Sequence, residues 1–158
     1  NVESFASEPI QVYPEAAAHV IELENIVPAS NLSYRGFSGK GFIEISKQAN
    51  TALKFYVTVP EAGLYSIDFK YANGHGPTNT ENKCAIRSLS NGTSALGTCV
   101  FPQRGKEEWS NWGFSNAVQV SMKKGKQTLS LTFKPENENM NGEINQAMLD
   151  YARVIKID

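Results

Sequence analysis

Residues Thr51–Asn73 read TALKFYVTVPEAGLYSIDFKYAN. Leu53, Phe55, Val57 and Val59 alternate with Lys54, Tyr56 and Thr58. Beyond Pro60-Glu61-Ala62-Gly63, the residues Tyr65, Ile67, Phe69 and Tyr71 alternate with Ser66, Asp68 and Lys70. An apolar residue at every second position is the pattern of a strand with one buried face. Proline fixes one backbone angle of the connecting turn and glycine leaves it free to reverse. The stretch therefore predicts two adjacent strands, a hairpin at the centre of a sheet.

Working outward, the same period recurs in short segments. A strand is expected over Val20–Asn25, where Ile21 and Leu23 alternate with Glu22 and Glu24, although PEAAAHVIELEN also reads as a helix with Pro14 at its first position. GFIEIS (41–46) predicts a short strand, and Cys84–Leu89 with Leu96–Phe101 a second hairpin. AVQVSM (117–122) and KQTLSLTF (126–133) predict a third around Lys123-Lys124-Gly125, and MLDYARVIKID (148–158) a central last strand. About nine short strands without a long amphipathic helix predict an all-β antiparallel sandwich. Residues 1–19 read as an arm or linker and 20–158 as one domain.

The chain has 158 residues, 15 basic and 16 acidic, for a net charge of -1. Without a basic stripe it is not expected to bind nucleic acid. No apolar run approaches the ~20 residues that span a bilayer, and the first residues lack the pattern of a signal peptide. Two cysteines are too few for a zinc site. With Asn91-Gly92 at a hairpin tip, Cys84 and Cys99 each lie seven residues from the tip and face each other, which predicts a disulfide and an oxidising compartment. Two unrelated buried thiols are the alternative.

Long polar loops span Asn31–Gly41, Gly74–Lys83, Pro102–Asn116 and Pro135–Gln146, and loops at one end of a sandwich can share a site. Trp109 and Trp112 stand in the third among Glu107, Glu108, Ser110 and Asn111. An aromatic face offers a flat apolar platform to the C–H face of a sugar, while amides and charges at its edge reach the hydroxyls. Alternatively, one or both tryptophans plug the end of the core. Glu22 and Glu24 at i and i+2 place like charges on one face, which calls for a cation or a basic side chain such as Arg153 or Lys156 between them. Calcium suits such oxygen donors.

VPEAGLYSIDFKYANG (59–74) resembles a segment of carbohydrate-binding modules of families 6 and 35. VFPQRGKEEWSNW (100–112) is similar to their G-x-W-x-x-W segment, with a longer approach. The resemblance implies a jelly-roll module that binds a polysaccharide or oligosaccharide without catalysis. Such a module would be a monomer attached to a glycoside hydrolase or polysaccharide lyase, and secreted, periplasmic or at the cell surface. It implies Trp109 as the stacking residue, Trp112 as a core plug, and Phe42 as a second aromatic, with Tyr34 as alternative. Asn73, in the YANG loop, would lie by the ligand. The position of the family's sugar-binding asparagine is Met148 here, leaving Asn145 or Gln146 to serve. It also implies structural calcium held by Glu22, Glu24 and an Asp near the chain end, assigned to Asp158. Loop glutamates supply the residue types of a glycosidase, but no spacing singles out a catalytic pair. The rival readings are a protein-binding or adhesion sandwich and a small glycoside hydrolase.

Overall fold

A computed structural model of the protein describes residues 18–77 and 81–158. These form β1 (Ala18–Glu22), β2 (Ile43–Ile45), β3 (Ala52–Val59), β4 (Gly63–Ala72), β5 (Ala85–Asn91), β6 (Ser94–Phe101), β7 (Gly113–Phe114), β8 (Val118–Met122), β9 (Gly125–Thr132) and β10 (Ala147–Lys156). All pairings are antiparallel, in two sheets. One sheet centres on β10 and β4, with β1 and β2 on the outer side of β10 and β7 and β8 on the outer side of β4; the other runs β3-β9-β5-β6. The all-β sandwich expected from the period-2 pattern is the observed fold.

The alternation in Thr51–Asn73 forms both strands but not the hairpin. Leu53, Phe55, Val57 and Val59 are buried and Lys54, Tyr56 and Thr58 exposed, as the pattern requires. Yet β3 pairs along its whole length with β9, from Ala52↔Thr132 to Val59↔Gly125, while β4 pairs with β10, β7 and β8. The turn crosses from one sheet to the other. Phe55 and Phe69 meet edge to face across the interior with centroids 6.0 Å apart. A strand shows the same alternation whether its neighbour in sequence lies beside it or faces it across the core. The expected third hairpin is a second such crossing, because β8 pairs with β4 and β9 with β3 and β5. Each fully buried Leu, Ile or Phe in this interior contributes about 1.5–3 kcal/mol.

Of the three predicted hairpins, β5–β6 forms, in a different register. Its tip is Gly92-Thr93, with Asn91 opposite Ser94 and Gly92 at φ +57. An irregularity between Leu89 and Ser90 shifts the register once more, so Arg87 faces Cys99. Cys84 lies before the strand, three residues from that position, and both thiols are free, which corrects the expected disulfide. Burial pushes the Cys99 thiol up to about 12, and the Asp68 charge adds to the effect. Denatured without reductant, the chain is expected to yield two titratable thiols, with Cys99 unreactive until unfolding. Finding none would contradict this register.

At the amino-terminal side, β1 ends at Glu22 and Leu23–Asn25 form a short 3-10 turn, so Glu24 is not a strand residue as predicted. Of the expected arm, residues 1–17 lie outside the described residues, and Ala18 and His19 open β1. Besides the main core, Phe42, Ala72 and Met148 form a second buried cluster at the loop end, covered by Tyr34, Phe37, Trp109 and Trp112. That cluster is the floor of the candidate site.

Candidate functional site

The four long loops meet at one end of the sandwich and are tied there by hydrogen bonds. The Arg35 amide donates to Ser110 Oγ (2.9 Å), the Glu107 amide to the Gly74 carbonyl (2.7 Å), and the Arg104 amide to the Asn73 carbonyl (2.8 Å). Asn139 Nδ2 donates to the Cys84 carbonyl at 2.6 Å. The first loop is thus joined to the third, the second to the third, and the fourth to the start of β5.

Two rings stand out on this platform. Tyr34 and Trp109 lie within 12° of parallel with centroids 5.8 Å apart, and both are half-buried. Trp109 sits against Gly74, where a Cβ would come within 2.7 Å of its indole, so the residue at 74 has to be glycine for the ring to pack there. On its other flank the His75 ring meets Trp109 edge to face at 4.8 Å. His75 Nε2 shares a 2.6 Å hydrogen bond with Gln146 Oε1, and Gln146 Nε2 donates to Glu44 Oε1 at 2.7 Å. A cleft of ≈ 350 Å³ opens between Tyr34, Trp109 and the Glu107–Asn111 turn. That volume is at the small end of the range for small-molecule sites.

Of the sequence-predicted binding residues, Trp109 and Tyr34 line the cleft and Gln146 joins the polar chain beside it. Phe42 is 1 % exposed and is corrected to a supporting role: its ring packs against Tyr34 at 5.7 Å and Trp112 at 5.5 Å, leaving no free face. Trp112 donates its indole N–H to the Arg35 carbonyl at 2.6 Å and covers that cluster, so it anchors the first loop as a plug. Asn73, 0 % exposed, donates to the Lys83 and Phe101 carbonyls and accepts from the His75 amide, which makes it a loop brace and not a ligand contact. Asn145, 1 % exposed, is likewise internal: Oδ1 accepts from the Ile86 amide and Arg87, and Nδ2 donates to the Asn137 carbonyl. His75 was missed as a site residue, although it lies two residues beyond Asn73 in a loop marked for binding. An isolated histidine carries no sequence signal of its own.

The carboxylates Glu22, Glu24 and Asp150 gather elsewhere, against Ser38 and Lys40 of the first loop. The Ser38 hydroxyl lies within hydrogen-bond reach of both oxygens of Glu22 (2.9 and 3.0 Å) and of Asp150 Oδ1 (3.1 Å), with one proton to share among them, and the Ser38 amide donates to Asp150 Oδ2 (2.9 Å). The Lys40 amide donates to Glu24 Oε1 at 2.8 Å, while the buried Glu24 Oε2 has no partner among the described residues. Gly39, at φ +59, lies between Glu22 and Glu24, where a side chain would collide with both. Burial raises the Glu22 carboxyl above its usual range; the Ser38 hydrogen bond opposes this and the Glu24 and Asp150 charges add to it. Lys70 Nζ stands 3.0 Å from Asp150 Oδ2. The predicted third carboxylate, Asp158, is corrected to Asp150. Glu22 pairs with Tyr151, seven residues before Asp158, or roughly 20 Å along a strand. Asp150 falls where the β10 register shifts between Leu149 and Ala152, and such a bulge re-aims a side chain.

A larger hollow of ≈ 630 Å³ lies on the flank, lined by Glu81, Asn82, Cys84, Val100, Pro102, Gln103 and Met140. It offers no aromatic face. A second hollow of ≈ 630 Å³ adjoining it is lined by Tyr71, Arg104 and Phe114. There, however, Tyr71 is 2 % exposed and the Arg153 guanidinium covers the Phe114 ring at 3.7 Å, which leaves the smaller cleft as the better site for a sugar.

No protein-family model matches the chain. A family 35 carbohydrate-binding module from Clostridium thermocellum superposes over 88% of this chain and 98% of its own, with a TM-score of 0.64 at 16% identity. The chain has the fold of the family 35 carbohydrate-binding modules. A cycloisomaltooligosaccharide glucanotransferase from Paenibacillus sp., complexed with cycloisomaltoheptaose, matches 85% of this chain with a TM-score of 0.62 at 25% identity, through 18% of its own length. In sequence, a cycloisomaltooligosaccharide glucanotransferase from Niallia circulans is 31% identical over 117 residues, 74% of this chain. The chain spans only 11% of that relative, which is the proportion of a module within a much longer protein.

Proposed function

We propose that this chain is a non-catalytic, monomeric glycan-binding module, appended to an extracellular enzyme that acts on glycans. The observation that carries the reading is the half-buried, near-parallel Tyr34–Trp109 pair at the loop end, with Asn111 on one side and the His75–Gln146 chain on the other. The rings offer a sugar an apolar face and the amides and imidazole reach its hydroxyls. Glu107 and Glu108 are successive residues of one turn, which does not give a glycosidase its two carboxylates on opposite sides of the bond. The extracellular setting rests on the relatives, since the free thiols remove the disulfide as support.

The test is a binding screen of gluco-oligosaccharides, with cycloisomaltoheptaose included because glucan-active proteins match this chain in sequence and fold. Retardation of the protein by at least one glycan is expected, with modest affinity because each sugar hydroxyl exchanges water for protein partners at little net gain. A complete absence of binding would contradict the reading.

Calcium is the second element of the proposal. Glu22, Glu24 and Asp150 supply hard oxygen donors, and the buried Glu24 oxygen, unpartnered among the described residues, suits a cation. Among the described residues no three acidic, His or Cys side chains form a ready-made cluster, and Ser38 bridges Glu22 and Asp150, so Glu22, Glu24 and Asp150 are the side chains that would hold an ion. The ion would supply charge neutralisation alone. These residues hold Ser38 and Lys40, and therefore the loop that carries Tyr34. Saturating calcium is expected to raise the melting temperature by about 5–10 °C over chelator. Asp150→Asn is expected to remove most of that difference, and equal melting temperatures with calcium and chelator would contradict the site.

A further inference from the structure

The lining of the aromatic cleft is one-sided in charge. Its six residues include Glu107 and Glu108 and no basic side chain. Neither glutamate forms an ion pair among the described residues; Glu108 Oε2 accepts a single hydrogen bond, from Asn111 Nδ2 at 3.2 Å. The nearby Arg104 is not among the lining residues, and its guanidinium is engaged on Asn111, donating to the carbonyl at 3.0 Å and to Oδ1 at 3.4 Å, and lies over the Tyr71 ring. Arg35 and Lys106 are the chain neighbours of Tyr34 and Glu107 but are not among the lining residues, and beside the cleft Gln146 leads to another carboxylate, Glu44. Glu107 also holds φ +59, a backbone region where glycine or asparagine fits more easily and a glutamate is uncommon.

We propose that Glu107 and Glu108 make this cleft discriminate by charge, admitting neutral and amino sugars and rejecting uronic acids. The inference rests on the glycan-binding reading above and adds the class of ligand. A uronate bound against Tyr34 and Trp109 would bring its carboxylate close to two others with no basic side chain between them. At partly solvated separations of this kind the two repulsions together amount to about a tenfold loss of affinity. An ammonium on the sugar would gain by a similar factor. Salt screens exposed charges beyond about 8 Å at physiological ionic strength, so the discrimination should be largest at low salt.

The experiment compares glucose, glucosamine and glucuronic acid oligosaccharides of matched linkage and length, titrated at low and at high salt, with and without calcium. The proteins are wild type, Glu107→Gln/Glu108→Gln and Trp109→Ala. For wild type at low salt the expected order of affinity is glucosamine, then glucose, then glucuronic acid. The ratio of glucuronate to glucose affinity is expected to rise about tenfold in the double glutamine variant. A glucuronate probe that binds wild type as well as the glucose probe, directly or only with calcium, would overturn the charge filter. So would a ratio unchanged by the double substitution while Trp109→Ala still removes binding. Failure of every probe to bind, or binding indifferent to Trp109→Ala, would instead overturn the glycan site itself.

Discussion

Trp109→Ala is expected to weaken glycan binding at least ~30-fold, since truncating a central aromatic anchor costs about 2 kcal/mol or more. The fold should survive. Trp109 covers the small loop-end cluster of Phe42, Ala72 and Met148 and lies outside the main core between the sheets. Its removal leaves Tyr34 stacked on Phe42 alone and takes from His75 the ring it meets edge to face, so both sides of the cleft lose definition. Parallel titration and thermal unfolding of the variant separate the two effects. Affinity within a factor of three of wild type would show that the sugar binds somewhere other than this cleft.

Arg87→Ala is expected to cost about 3–5 kcal/mol of stability, from the cavity left by a large buried side chain and the acceptors left unpaired. Arg87 is 0 % exposed. Its guanidinium donates to the carbonyls of Ile86, Ser46 and Asn145 and to the Asn145 side chain, and stands 5.0 Å over the Phe133 ring, with no carboxylate among these partners. Burial lowers its pKa to about 10, so it stays charged at neutral pH. A charge in this setting carries a desolvation cost that a methionine would not, and Arg87→Met should therefore lose less than the alanine variant. Because Asn145 precedes Gln146, the alanine variant should also bind glycan more weakly. Urea unfolding of both variants tests this, and an alanine variant as stable as wild type would mean that the network contributes nothing net.

The sandwich was legible in the sequence because alternate burial is written directly into residues such as Leu53, Phe55, Val57 and Val59. Strand partners were not. Pro60–Gly63 and Lys123–Gly125 join strands of opposite sheets, and inward-facing residues look the same in a turn within a sheet and in one between sheets. The two cysteines were misread for a related reason: one residue of difference at the Gly92-Thr93 tip and one irregularity beyond it move Cys99 opposite Arg87. Trp109 and Tyr34 were readable as aromatics set in polar loops. Phe42, Asn73 and Asn145 were not readable as internal, since their burial comes from rings and carbonyls of loops remote in sequence. Asp150 was hidden by a bulge that periodicity cannot register, while Glu22 and Glu24 were found as a charge conflict even though Glu24 leaves the strand.

The central claim is that sugar is held at the loop end by Tyr34 and Trp109. The most direct measurement is a two-dimensional NMR titration of the assigned wild-type protein with the tightest glycan from the screen. The Trp109 indole N–H and the amides of His75, Ser110 and Asn111 should move saturably, while Tyr56 and Thr128 on the outer face of the β3–β9 pair stay in place. Shifts centred on Tyr56, or on the Cys84–Met140 hollow, with the Trp109 signal unmoved, would contradict it.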